Sequence, residues 1–277
     1  MRQPRRDTRG IVDPATLLRQ VAFRRAAPAP ALADLVEHYW FIDWDLAEPY
    51  AQHVLGHPAV NLVIMRADAG APVTAEVAGI ARATFSITLS GRGWVRGVQF
   101  RPGGFHPFSG RSPAPLTDRR LPLARVLPAA EAAVPAVAGA ATDDAAARAL
   151  DRLLLDLRPL PDEATLLAAA VTDRVRTDRS LRRVDEVARA AGLSVRALQR
   201  LFLDRVGVGP KWVLLRYRIQ EALERAAPQV DWAGLADELG YADQAHLVRD
   251  FTAAVGMPPA AYAAVCRSAG PPAPLVK

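Results

Sequence analysis

The feature that most restricts this chain is a repeat near its end. Residues 184–210 read VDEVARAAGLSVRALQRLFLDRVGVGP, and residues 232–259 read WAGLADELGYADQAHLVRDFTAAVGMPP. In the first segment Val184, Val187, Ala188 and Ala191 fall at the i, i+3, i+4, i+7 spacing of one buried helix face. Trp232, Leu235, Ala236 and Leu239 do the same in the second. A glycine follows each helix, Gly192 or Gly240, and then a residue suited to cap the next helix, Ser194 or Asp243. Leu198, Phe202 and Val206 are matched by Leu247, Phe251 and Val255. Each unit closes on a glycine, Gly207 or Gly256, and reaches proline three residues later, Pro210 or Pro259. The pattern predicts, twice over, a helix, a tight turn and a second helix packed across the first, which is the helix-turn-helix arrangement. Two unrelated helical hairpins would have to reach the same skeleton by coincidence.

With the apolar positions assigned to the core, the outward faces can be compared. The first unit's second helix presents Arg196, Gln199 and Arg200; the second unit's presents Gln244, Ala245, His246 and Arg249. Arg200 and Arg249 are equivalent in the repeat, but Arg196 aligns with Ala245 and Gln199 with Val248. A shared skeleton with unlike faces implies two different half-sites on an asymmetric target. The residue types suit base edges: arginine donates twice to guanine, glutamine pairs with adenine, and alanine touches a thymine methyl. Between the units, KWVLLRYRIQEALERA (211–226) predicts a helix with Trp212, Leu215, Ile219, Ala222 and Leu223 inward. At 1.5 Å per residue it is about 24 Å long, a strut fit to help set two helices in grooves about 34 Å apart. Lys211, Arg216, Arg218 and Arg182 are candidates to neutralise phosphates. Residues 175–267 carry 14 Lys+Arg against 11 Asp+Glu, a net of +3, so binding must depend on where charge sits rather than on its amount.

Residues 165–267 resemble the double helix-turn-helix DNA-binding domain of the AraC/XylS family of bacterial transcription regulators. The resemblance is carried by TLLAAAVTDRV, by ALQRLF, by the long connecting helix and by LADELGYADQAHLVRDFTAAVGMPPAAY. It implies a transcription regulator rather than an enzyme, with double-stranded DNA as partner and RNA polymerase as a further one if it activates. It also places base contacts at Arg196, Gln199, Arg200, Gln244, Ala245, His246 and Arg249. The family often has a bulky or polar residue where Ala245 stands. Its N-terminal domain commonly senses a small molecule or forms a homodimer, often as a small cupin-type β-barrel. The segments LVEHYWFIDWDL, HPAVNLVIM, VAGIARATFSITLSG, VRGVQFRPGGFHPF and LTDRRLPL resemble a recurring front domain of such regulators, over about 30–125.

The totals agree with this layout. A chain of 277 residues suits about two domains at roughly 150 residues each, and 51% apolar residues provide for a core. The net charge of +6 suits a polyanionic partner. Cys266 is the single cysteine, which excludes a disulfide framework, favours a reducing cytoplasm and argues against a cysteine-dependent repair methyltransferase. No apolar run approaches the ~18 residues of a membrane span, and the basic start MRQPRRDTRG lacks the apolar stretch of a signal peptide. The expected fold is α+β: a flexible arm (1–19), a β-rich, cupin-like barrel domain for sensing or dimerisation (20–118), a helical linker (119–164), the DNA-binding domain (165–267) and a loose tail (268–277). In the front domain Trp40, Trp44, Trp94 and Phe100 are core residues or the walls of an apolar ligand pocket. His53, His57 and His106, with His38 further off, raise the alternative of a metal-dependent cupin-like enzyme fused to a DNA-binding domain. No carboxylate is spaced to complete such a site, so neither metal nor cofactor is expected.

Overall fold

The computed structural model describes residues 11–226 and 229–268. The front part holds α1 (Pro14–Gln20), β1 (Val21–Ala26), β2 (Val36–Val54), β3 (Asn61–Arg66), β4 (Val73–Ala78), β5 (Phe85–Phe100), α2 (His106–Ser109) and β6 (Arg120–Pro122). The helices α3 (Leu123–Val126), α4 (Val134–Ala138) and α5 (Asp143–Asp156) follow. Behind them come α6 (Glu163–Thr177), α7 (Val184–Ala190), α8 (Val195–Arg205), α9 (Pro210–Arg225), α10 (Trp232–Glu238), α11 (Gln244–Val255) and α12 (Pro259–Ser268).

The six strands form one antiparallel sheet in the order β1-β2-β5-β3-β4-β6. Among the described residues the ladder runs from β1 to β6 without closing, so no ring of hydrogen bonds completes the expected barrel. Side chains alternate across the strands. Tyr39, Phe41, Leu62, Ile64, Val98 and Phe100 point to one face and pack with Leu150, Leu153 and Leu154 of α5. The segment 119–164, expected as a linker, therefore belongs to this core: β6 completes the sheet, and α3 to α5 cover its face. Arg24 clasps Asp143, and the Tyr39 hydroxyl donates to Asp151 at 2.7 Å, which ties α5 down.

The arm expected at 1–19 is part of the fold from residue 11 onward. Ile11 bridges to Val54, and Ile11, Val12 and Leu17 are buried, because apolar side chains in this stretch find partners on the sheet and in the C-terminal part. Residues 1–10 and 269–277 lie outside the described residues.

The two repeat units fold alike. α7 and α10 are each followed by a glycine in the left-handed region, Gly192 at φ 67° and Gly240 at φ 75°. Ser194 then caps α8 by accepting from the Ala197 amide, and Asp243 caps α11 by accepting from the His246 amide. Leu198 and Phe202 fill one core, Leu247 and Phe251 the other. Pro210 and Pro259 open α9 and α12, where a missing N–H is tolerated.

Candidate DNA interface and the cavity behind it

On α8, Arg196, Gln199 and Arg200 are all exposed. On α11, Gln244, Ala245 and Arg249 are exposed, while His246 is half-buried beside Asp250 and edge-on to the Tyr241 ring at 5.1 Å. No ion pair among the described residues engages Arg196, Arg200 or Arg249. Other arginines of this region are spoken for: Arg225 pairs with Glu238, Arg179 with Glu221, and Arg205 with Asp162. Uncommitted cations thus mark both outward faces.

The phosphate candidates divide. Lys211 and Arg182 are exposed. Arg216 is buried at 4% exposure; it donates to the Arg82 carbonyl and lies over the Trp212 ring at 4.7 Å. Burial pushes its pKa down to about 10, which leaves it charged at neutral pH. It therefore has no access to a phosphate in this arrangement. The reason is helical: Trp212, Arg216 and Gln220 recur every fourth residue along the side of α9 that faces the front domain. Arg218 is half-buried, donating to the Arg182 carbonyl and stacking over Tyr241 at 5.8 Å. It joins α9 to both units.

Both helix-turn-helix units are also fastened to the front domain. Ser112 donates to the Leu203 carbonyl and Thr117 to the Gly207 carbonyl, each at 3.0 Å, at the end of the first unit. Thr84 donates to the Ala254 carbonyl in the second. Arg205, at the end of α8, reaches His106 as well as Asp162. Apolar contacts run the same way: Ile80 is buried in the core of the first unit, Val12 and Leu55 in that of the second.

The opposite face of the sheet lines a cavity of about 910 Å³. Its rows follow the strand register. His38, Gln99 and Asn61 stand abreast on β2, β5 and β3. Trp40, Gly97 and Val63 form the next row, then Ile42, Val95 and Met65, and then Trp44 beside Gly93. From α9, Trp212, Tyr217 and Gln220 line the other side. Trp40 and Trp44 line the cavity. Trp94 and Phe100 do not, since alternation along β5 turns them to the other face, where Phe100 is fully buried. The polar row and the α9 contribution were missed in the sequence. Period-2 spacing in HYWFIDW puts His38 on the face of the two tryptophans, a signal that was not used, and nothing local announces a helix opposite.

The histidines do not converge. His53 meets Ser86 at 2.7 Å, His57 meets Gln99 at 3.3 Å, and His106 meets Arg205. Among the described residues no group of three or more His, Cys, Asp or Glu could hold a metal ion. Nor is any described helix long and apolar enough to cross a membrane.

A sheet domain fastened to two like helix-turn-helix units, each with an uncommitted basic face, defines a DNA-binding protein of the transcription-regulator class. Comparison with known families agrees: residues 187–264 match the helix-turn-helix domain family. Residues 24–122 match a domain of unknown function (DUF6597). A comparison with curated proteins finds no match. Among solved structures, ToxT from Vibrio cholerae is similar at 8% identity and a TM-score of 0.41, covering 88% of this chain and 98% of that one. Unsaturated-fatty-acid-bound wild-type ToxT from Vibrio cholerae strain SCE256 is similar at 12% identity and a TM-score of 0.41, covering 81% and 94%.

Proposed function

We propose that this chain is a sequence-specific transcription regulator whose helices α8 and α11 enter successive major grooves of double-stranded DNA. Arg196, Gln199 and Arg200 read one half-site; Gln244, Ala245, His246 and Arg249 read a second, different one. Lys211 and Arg182 hold phosphates beside them. The observation that carries this reading is the pair of exposed, unlike faces on one repeated frame, each bearing an arginine without an acidic partner. Residues 165–267 do the reading, and the front domain modulates it through a small molecule or through a second copy of the chain. Contact with RNA polymerase follows if regulation is positive.

A footprint over the DNA upstream of the protein's own gene tests the proposal. The expected result is two protected patches about one helical turn apart, with dissimilar sequences. Uniform coating that ignores sequence and collapses with added salt would replace this reading with non-specific phosphate binding.

A further inference from the structure

The cavity between the sheet and α9 has a chemistry that narrows what it can hold, and the inference rests on reading the front domain as a sensing domain. Its floor is aromatic. A Cβ on Gly97 would come within 2.0 Å of the Trp40 indole, and one on Gly93 within 2.3 Å of the Trp44 indole. Each indole therefore lies across β5 on a glycine, and the two rings pave alternate rows of the same face. Ile42, Val95 and Met65 form the row between Trp40 and Trp44, so an apolar slab runs over this stretch of the sheet.

The far end is polar. His38, Gln99 and Asn61 form its row, and Gln220 of α9 lines the same cavity. Gln220 is only 6% exposed, and its carboxamide nitrogen has no hydrogen-bond partner among the described residues. A buried donor left unmade is costly, so this nitrogen is a vacancy for an acceptor. The His38 ring is held neutral by burial and by the charge of Arg25. Cations around the cavity are already engaged: Arg25 lies over the Phe23 ring at 5.2 Å and is not free, Arg176 meets Asp173 at 3.0 Å, Arg82 meets Asp118 at 2.6 Å, and Arg120 is paired with Glu76. Arg119 is exposed to water. An anion at the polar row would lose its hydration without gaining an unpaired cation there.

We propose that this cavity binds an uncharged, flat aromatic molecule, its rings on Trp40 and Trp44 and a hydrogen-bonding oxygen at Gln220 and the His38–Gln99–Asn61 row. A volume of about 910 Å³ accommodates a ligand of three or four fused rings. Because Gln220 belongs to α9, the bound molecule touches the helix that joins the two DNA-reading units.

A matched pair of probes tests this on the full-length protein without DNA. Titration with 9-phenanthrol, followed by tryptophan fluorescence, should saturate at one molecule per chain. Phenanthrene-9-carboxylate, with the same rings and an added charge, should bind at least roughly tenfold more weakly. Gln220→Leu should weaken 9-phenanthrol by roughly fivefold to tenfold with an unchanged circular dichroism spectrum. Equal or tighter binding of the carboxylate, no saturable binding of 9-phenanthrol, or wild-type affinity in Gln220→Leu would each overturn the proposal. With no DNA in the titration, a failure here leaves the reading of DNA standing, and a failed footprint leaves this site intact.

Discussion

At the scale of single residues, one side-chain type serves opposite ends according to its surroundings. Arg200 and Arg249 are exposed and without acidic partners, whereas Arg216 is buried beneath Trp212 and spent on a backbone carbonyl. Replacing Arg200 or Arg249 with alanine should cost about 1–3 kcal/mol of DNA affinity and blur preference at one base pair. A gel-shift titration against single-base variants of the site reads both effects, and undiminished discrimination in both variants would discredit these contacts. His38 makes a separate prediction. Burial and the nearby charges of Arg25 and His57 push its pKa down to about 2. The folded chain thus refuses a proton that the unfolded chain accepts below about pH 6.5. Stability contributed by this residue is complete above that pH and declines as pH falls, by about 2 kcal/mol at pH 5. Melting curves at pH 7.5 and pH 5 should show a smaller acid-induced loss in His38→Gln than in the wild type; parallel losses would refute the assignment.

At the scale of elements, α8 and α11 owe their starts to side-chain caps and their placement to left-handed glycines. Ser194→Ala should remove about 1 kcal/mol of stability, and chemical denaturation measures it. No change would mean that water replaces the cap at no cost. These features were legible from the chain, because caps, glycine turns and apolar spacing act within a few residues. The inward face of α9 was legible only in part. Ile219, Ala222 and Leu223 are buried as the spacing predicts, but Arg216 and Gln220 are buried too. Their burial depends on the front domain, which a helical period does not reveal. The same limit applies to Trp94 and Phe100: aromatic character marks them as inward, while sheet register decides which face they occupy.

At the scale of the molecule, the parts are joined through shared cores. Ile80, two residues beyond the end of the front domain's β4, is 1% exposed inside the core of the first helix-turn-helix unit, and Leu55 is 1% exposed inside that of the second. Ile80→Ala and Leu55→Ala should each cost about 2–5 kcal/mol. Hydrogen exchange should accelerate in α7 to α9 for the first and in α10 to α12 for the second, although neither residue belongs to a unit it destabilises. Acceleration confined to the sheet would show that the units stand without it.

The amino-acid order alone determined the twin bihelical frame, its caps and glycine hinges and the two unlike polar faces, since each arises from interactions between near neighbours in the chain. It took the tertiary structure to decide which cations stay exposed and without acidic partners, which aromatic rings floor a cavity, and that the helix between the two repeat units also walls it. Those outcomes depend on burial, and burial is set by segments more than a hundred residues apart, as when Arg82 on the front domain meets Arg216 on α9.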